Sequence, residues 1–273
     1  MKTSPLLYLV LCTVAFALPA RSGDGVVEFQ AVLRPARTVE ISSATVGILE
    51  SVLVERGDSV EAGQVLARLD SEVERADLEV IRARAESNTA VEIAEAQLTR
   101  IQVRFGQAQE LFAEGIMSSE ELEAFRTELQ VAELAVRKSY EARHQAQLEQ
   151  RRAEVRLKQR TVFSPIEGVV IERHLSAGEL VDRSDNTVIT EIAQLDPLHI
   201  DVRVPQSMLR TLERGSRALV RPEFPVEDEL ECSVLTVDPV VDAATGSLRV
   251  RLVLPNPGHG IPAGLRCSVR FLD

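Results

Sequence analysis

Four histidines, His144, His174, His199 and His259, are the side chains best suited to hold a metal or move a proton, and they lie scattered along the chain. No pair has metal-ligand spacing with a nearby carboxylate, the arrangement a zinc site requires. His144 reads as a solvated helix residue and His199 as a residue pointing out from a strand. The chain has no Gly-x-Ser-x-Gly nucleophile turn. Three methionines, one of them the initiator, argue against a methionine-based copper site. A formal net charge of −11 with no basic cluster argues against nucleic acid as a partner. The expectation is a protein that is no enzyme and carries no metal or cofactor. One spacing does have clear physical content. Ser118 is followed three residues on by Glu121, a capping box that starts a helix.

That start divides the stretch from Ser71 to Gln159, which has no proline and two glycines, Gly106 and Gly115. Its wealth of Ala, Glu, Gln, Leu and Arg is the composition of long helix and coiled coil. Gly115 is expected to turn the chain between two arms of nearly equal length, with Ile116 and Met117 packing against the second. In the first arm a heptad frame puts Val73, Val80, Ser87, Ala94, Ile101 and Ala108 at one seam position. Ala76, Ala83, Ala90, Gln97, Arg104 and Leu111 fall at the other. In the second arm the frame is Leu122, Leu129, Val136, Arg143, Gln150 and Leu157 with Phe125, Ala132, Ser139, Ala146 and Ala153. Most of these residues are apolar, and the repeat predicts an antiparallel two-stranded coiled coil. Arms of ~40 residues would reach ~60 Å. That length suits a reach device rather than a globular core.

The N-terminus reads as a cleaved export signal over residues 1–20. Lys2 precedes an apolar run from Leu6 to Ala15, and Ala15-Phe16-Ala17 or Leu18-Pro19-Ala20 supplies a small-residue cleavage site. Cys12 lies inside the apolar run behind Leu11, which sets aside a lipoprotein. Cys232 and Cys267 remain as an even pair, either a disulfide or two buried thiols. From Val26 to Asp70 the pattern changes to short β runs at 26–29, 31–33, 38–41, 47–49, 51–54 and 65–69. After the helical stretch this pattern returns. Gly47 is followed ten residues later by Gly57 and Asp58, and Gly168 ten residues later by Gly178 and Glu179. Ile48 matches Val169, Leu49 matches Val170 and Val54 matches Leu175. An internal repeat split by a helical insertion predicts two halves of one pseudo-symmetric β domain.

These halves resemble the two halves of a biotinyl/lipoyl-type β-sandwich, with turns at Gly47, Gly57, Asp58, Gly63, Gly168 and Gly178. The helical hairpin stands where carrier domains keep their modified lysine, and Lys138 and Lys158 read as helical surface residues. With the export signal, the whole resembles the periplasmic adaptor subunits, or membrane fusion proteins, of tripartite efflux pumps. Adaptors usually show an Arg at the hairpin turn, a Leu four on, a Ser seven further and then an acidic residue. Here Leu111, Ser118 and Glu123 match while Gln107 replaces the Arg. The resemblance implies that Gln107, Leu111, Gly115, Ser118, Glu121, Leu122 and Glu123 dock on a TolC-like outer-membrane channel. It also implies an inner-membrane transporter as partner and self-association as a hexamer.

Residues 197–273 read as a further β domain. Asp238-Pro239, Asp242 to Gly246, Asn256-Pro257 and Pro262-Ala263-Gly264 resemble the adaptor β-barrel signature, and the barrel is expected to take residues 26–41 as well. The expected fold is α+β, elongated and multi-domain. A long antiparallel coiled-coil hairpin (71–160) is inserted in a lipoyl-like β-sandwich (42–70 plus 161–196), followed by a β-barrel (26–41 plus 197–273). Many adaptors add a membrane-proximal domain for which few residues remain, so the barrel itself is expected to meet the transporter. The implied function links an RND-type transporter to the outer-membrane channel for small-molecule export. An adaptor of an ABC-type exporter or type I secretion system, and a free-standing coiled-coil scaffold, are the alternatives.

Overall fold

The computed structural model describes residues 27–182, 187–223 and 228–272. The export-signal reading of 1–20, Cys12 included, lies outside the described residues. In chain order the elements are β1 (Phe29–Ile41), β2 (Gly47–Val52), β3 (Ser59–Val60), β4 (Val65–Leu69), α1 (Glu72–Glu86), α2 (Thr89–Ala113) and α3 (Ser119–Gln159). They continue as β5 (Thr161–Phe163), β6 (Gly168–Arg173), β7 (Leu180–Val181), β8 (Thr190–Pro205), β9 (Arg217–Pro222), β10 (Leu230–Asp242), β11 (Ser247–Leu254) and β12 (Arg266–Phe271). The described residues divide into two compact units, one of 34–198 with 255–263, the other of 27–33, 199–254 and 264–272. Of the run expected at 26–29, residue 26 lies outside the described residues, and residues 27 and 28 precede the first strand. The runs expected at 31–33 and 38–41 form that one strand, which begins at Phe29. Its ladder with β12 runs from Phe29 to Val32, so Pro35, which has no N–H to give, falls beyond it.

The repeat governs the sandwich of the Arg34–Leu198 unit. Each half lends its short second strand to the first strand of the other: Val60 pairs with Gly168 and Val181 with Gly47. Gly57 N–H donates to the Val170 carbonyl at 2.8 Å, and Gly178 N–H to the Leu49 carbonyl at 2.7 Å. Both glycines turn the chain at positive φ, +95° and +88°. That backbone is open to glycine at no steric cost. The swap encloses an aliphatic core in which Leu49, Leu66, Leu69, Val170, Val181, Ile189 and Ile192 are buried.

Within the same unit, α1 and α2 form the first arm and α3 the second. Cross-arm contacts step back from the turn at matched distances: Arg104 with Glu128, Tyr140 with Glu95, and Arg160 with Glu74. Such a progression defines antiparallel arms. The expected seam of the second arm is the half-buried or buried face throughout, with Ala146 and Ala153 innermost. In α2 the expected Ala94, Ile101 and Ala108 are buried, but their companions are Val91, Leu98 and Phe105. The expected Ala90, Gln97, Arg104 and Leu111 are exposed.

In α1 the phase moves by one residue. Glu74, Leu78, Ile81 and Ala85 face inward, while Val73 and Val80 are 70% and 66% exposed. The cause is local. Ser87 ends α1 in an extended conformation (φ −69°, ψ 125°), which resets the helical phase before Thr89. A frame carried unbroken through Ser87 places the α1 seam on the wrong face.

The other unit is a β structure in which β12, β9, β10 and β11 stand in that order between β1 and β8. Along β11 the alternation is strict: Leu248, Val250, Leu252 and Leu254 point inward, Arg249 and Arg251 outward. Arg251 forms a two-pronged pair with Asp201 on β8, at 2.7 and 3.0 Å, which holds its guanidinium above the usual range. Cys232 and Cys267 are buried free thiols. Burial, and secondarily the nearby Cys267, pushes the Cys232 thiol up to about 12; burial pushes Cys267 up to about 11. Both folded values lie above the ordinary 9.0. Their contribution to stability is therefore complete below pH 9 and is lost as pH rises towards 11–12. At pH 8 the thiolate fractions should be down about a hundredfold or more, so a thiol reagent should label neither cysteine in folded protein and both in denaturant. Rapid labelling of the folded protein would contradict this burial.

Candidate functional site

The hairpin turn is built from two interlocking end motifs. At the end of α2, Gly115 N–H donates to the Phe112 carbonyl and Ile116 N–H to the Leu111 carbonyl, both at 3.0 Å. With Gly115 at φ +76°, this is a Schellman stop. At the start of α3 the Ser118 Oγ accepts from Glu121 N–H at 3.3 Å, and the Glu121 carboxylate accepts from Ser118 N–H at 2.9 Å and from its hydroxyl at 2.8 Å. The Ser118 backbone and hydroxyl donors hold the Glu121 carboxyl below its usual range, so the cap is charged at neutral pH. Only Met117 separates Ile116 from Ser118, and the turn is locked on both sides.

This lock decides which side chains the tip presents. Met117 and Leu122, the positions of a hydrophobic staple, are both half-buried. Ile116 is not packed against the new helix as expected; it is 70% exposed. Leu111 and Phe112 are 39% and 42% exposed beside it on the last turn of α2. Gln107 and Glu123 are exposed one turn further back, and Glu123 pairs with Arg126 at 3.0 Å. The turn therefore gathers the residues expected at the docking tip. Phe112 and Ile116 are exposed at the same turn, and neither is among the residues the sequence places at the presented tip.

At the opposite end of the arms, Arg160 ties the hairpin to the sandwich. Its Nε donates to Glu74 at 2.9 Å, its Nη2 reaches the same carboxylate oxygen, and its Nη1 donates to the Val46 carbonyl at 3.0 Å. Gly47 lies beneath the guanidinium, and a Cβ there would stand 2.6 Å from Nη1. Asp58 Oδ2 accepts from Glu55 N–H at 2.8 Å within the turn before Ser59, and Gly63 (φ +86°) closes the next. The six expected turn residues of the sandwich thus serve chain reversals, strand exchange and close packing. Strand register also gathers Glu172, His174 and Glu191, with one ligand atom from each within 4.8 Å of the others. Spacing along the chain hides this set, because Glu191 comes from another strand. Among the described residues no helix is long and apolar enough to cross a membrane.

A family model of the CzcB-like barrel-sandwich hybrid domain matches residues 37–194, and one of the CusB-like β-barrel domain matches 197–273. The chain belongs to the membrane fusion protein family. Multidrug resistance protein MexA of Pseudomonas aeruginosa is 28% identical over 251 residues, covering 84% of this chain and 56% of that protein. Multidrug efflux pump subunit AcrA of Escherichia coli is 25% identical over 252 residues, covering 86% and 59%. Membrane fusion protein MtrC of Neisseria gonorrhoeae is 26% identical over 255 residues, covering 89% and 59%. The chain spans roughly three-fifths of the length of these relatives. Its fold is shared with the crystal structure of MacA from Actinobacillus actinomycetemcomitans, at TM-score 0.69, 21% identity and coverage of 90% and 78%.

Proposed function

We propose that this protein is the periplasmic adaptor of a tripartite efflux pump, joining an inner-membrane RND-type transporter to a TolC-like outer-membrane channel for export of small molecules. The observation that carries this reading is the tip, an apolar cluster of Leu111, Phe112 and Ile116 left open to solvent at the far end of a helix 41 residues long. A rod of about 60 Å ending in exposed apolar side chains is built to touch something at a distance. The arms act as a coiled coil. Ile93, Val103, Val131, Leu134 and Val155 on their outer faces are each more than half exposed, which supports side-by-side assembly of several copies, six in the family arrangement. In this reading 71–160 is the reach device, 42–70 with 161–196 the lipoyl-like collar, and 26–41 with 197–273 the barrel that meets the transporter. Residues 1–20 direct the chain to the periplasm and are then removed.

Cysteine crosslinking in cells tests it. Met117→Cys and Ser118→Cys, treated with a short bifunctional thiol reagent, should capture an outer-membrane channel identifiable by mass. A folded, exported variant that captures no channel from either position would sink the docking reading.

A further inference from the structure

We infer that Glu172, His174 and Glu191 form a binding site for a divalent transition-metal ion of the zinc type. Glu172 and His174 lie two residues apart, so strand alternation puts both side chains on one face of the sheet. Glu191 on β8 is the direct cross-strand partner of Glu172. The backbone beneath all three is held: His174 N–H donates to the Ile189 carbonyl at 2.9 Å, and Thr190 Oγ1 to the Glu172 carbonyl at 2.8 Å. Ligand atoms within 4.8 Å of one another need only side-chain rotation to reach the roughly 3.3 Å separation found around a four-coordinate zinc.

The register depends on a bulge. Val170 pairs with Ile192 but Glu172 pairs with Glu191, leaving Ile171 as the extra residue. Without it Ile171 would face Glu191 and the carboxylates would not meet. The first half of the repeat supplies an internal comparison. It has the same kind of bulge, between Leu49 opposite Leu69 and Ser51 opposite Arg68. There the counterparts of Glu172 and His174 are Ser51 and Leu53. The fold therefore builds this corner without carboxylates or imidazole, and their presence in the second half answers to something else.

Charge points to what that is. Two carboxylates placed directly opposite repel one another. Neither they nor His174 has a side-chain hydrogen bond or ion pair among the described residues. The adjacent cation, Arg173, is turned to the Leu175 carbonyl and the Ser176 hydroxyl. A bound dication would neutralise the pair. An imidazole in the set selects zinc, cobalt, nickel or copper over magnesium and calcium, which take all-oxygen shells. Three protein ligands leave a further coordination position to water, so the ion would be exchangeable and not locked into the fold.

The test is zinc titration of the purified protein in competition with a chromophoric chelator, with cobalt absorption as the reading of coordination geometry. One equivalent should bind per chain. His174→Ala and Glu191→Gln should each weaken it by about tenfold or more, while Ser51→Ala and His259→Ala should leave it unchanged. Zinc should also raise the unfolding midpoint of the unsubstituted protein and not that of His174→Ala. Binding well below one equivalent, binding undiminished in His174→Ala, or displacement of zinc by excess magnesium would each overturn the site.

Discussion

Gly168→Ala should destabilise the sandwich by about 3 kcal/mol or more, whereas the repeat-equivalent Gly47→Ala should cost about 1 kcal/mol. The two glycines occupy the same position in the two halves, and both start a strand that receives a strand from the other half. Their surroundings differ in kind. A Cβ on Gly168 would stand 2.4 Å from the Ala193 carbonyl oxygen and 2.9 Å from its carbon. Both are main-chain atoms of β8, a strand that pairs with β6 and cannot retreat without breaking its ladder. A Cβ on Gly47 meets the Arg160 Nη1 at 2.6 Å, the far end of a flexible side chain. That guanidinium can swing aside at the expense of its bond to the Val46 carbonyl. Urea denaturation monitored by far-UV circular dichroism measures both, and the midpoint of Gly168→Ala should fall much further. Equal midpoints would mean that β8 yields, and that the close approach is no constraint.

These glycines also mark how far the sequence can be read. The repeat was legible because positive φ and close backbone approach impose a residue type, and Gly57 and Gly178 recur with Gly47 and Gly168 at one offset. The capping box at Ser118 and Glu121 was legible because both halves of the motif lie within four residues. The seam of α3 was legible because that helix is unbroken. Three features were not. Ser87 carries no proline or glycine to announce the break after α1, so the heptad frame ran through it and placed Val73 and Val80 inside. The bulge at Ile171 depends on pairing across strands, and with it the meeting of Glu172 with Glu191. The exposure of Ile116 depends on how a helix stop and a helix start meet with only Met117 between Ile116 and Ser118. Local chemistry is written in the chain; phase and register are settled only when distant segments pair.

If the tip docks on an outer-membrane channel as proposed, Ile116→Asp and Leu111→Asp should each weaken capture of that channel by about thirtyfold or more, as loss of a buried apolar anchor costs ~2 kcal/mol at an interface centre. Both side chains are exposed, so thermal stability should stay within about 0.5 kcal/mol. Val240→Asp, at a site 75% exposed on β10, is the matching surface control and should leave capture intact. Ser118→Ala separates the two roles that meet at the turn. Its hydroxyl accepts from Glu121 N–H and donates to the Glu121 carboxylate, so removing it should cost about 1 kcal/mol and fray the first turn of α3. If the serine serves the cap alone, capture should fall only as far as the frayed turn moves Leu111 and Ile116. A large loss of capture with an intact helix would instead assign its hydroxyl a direct contact with the partner. Co-purification from membranes, with unfolding followed on the same preparations, distinguishes these outcomes. Full capture by Ile116→Asp and Leu111→Asp together would remove the apolar tip as the docking element.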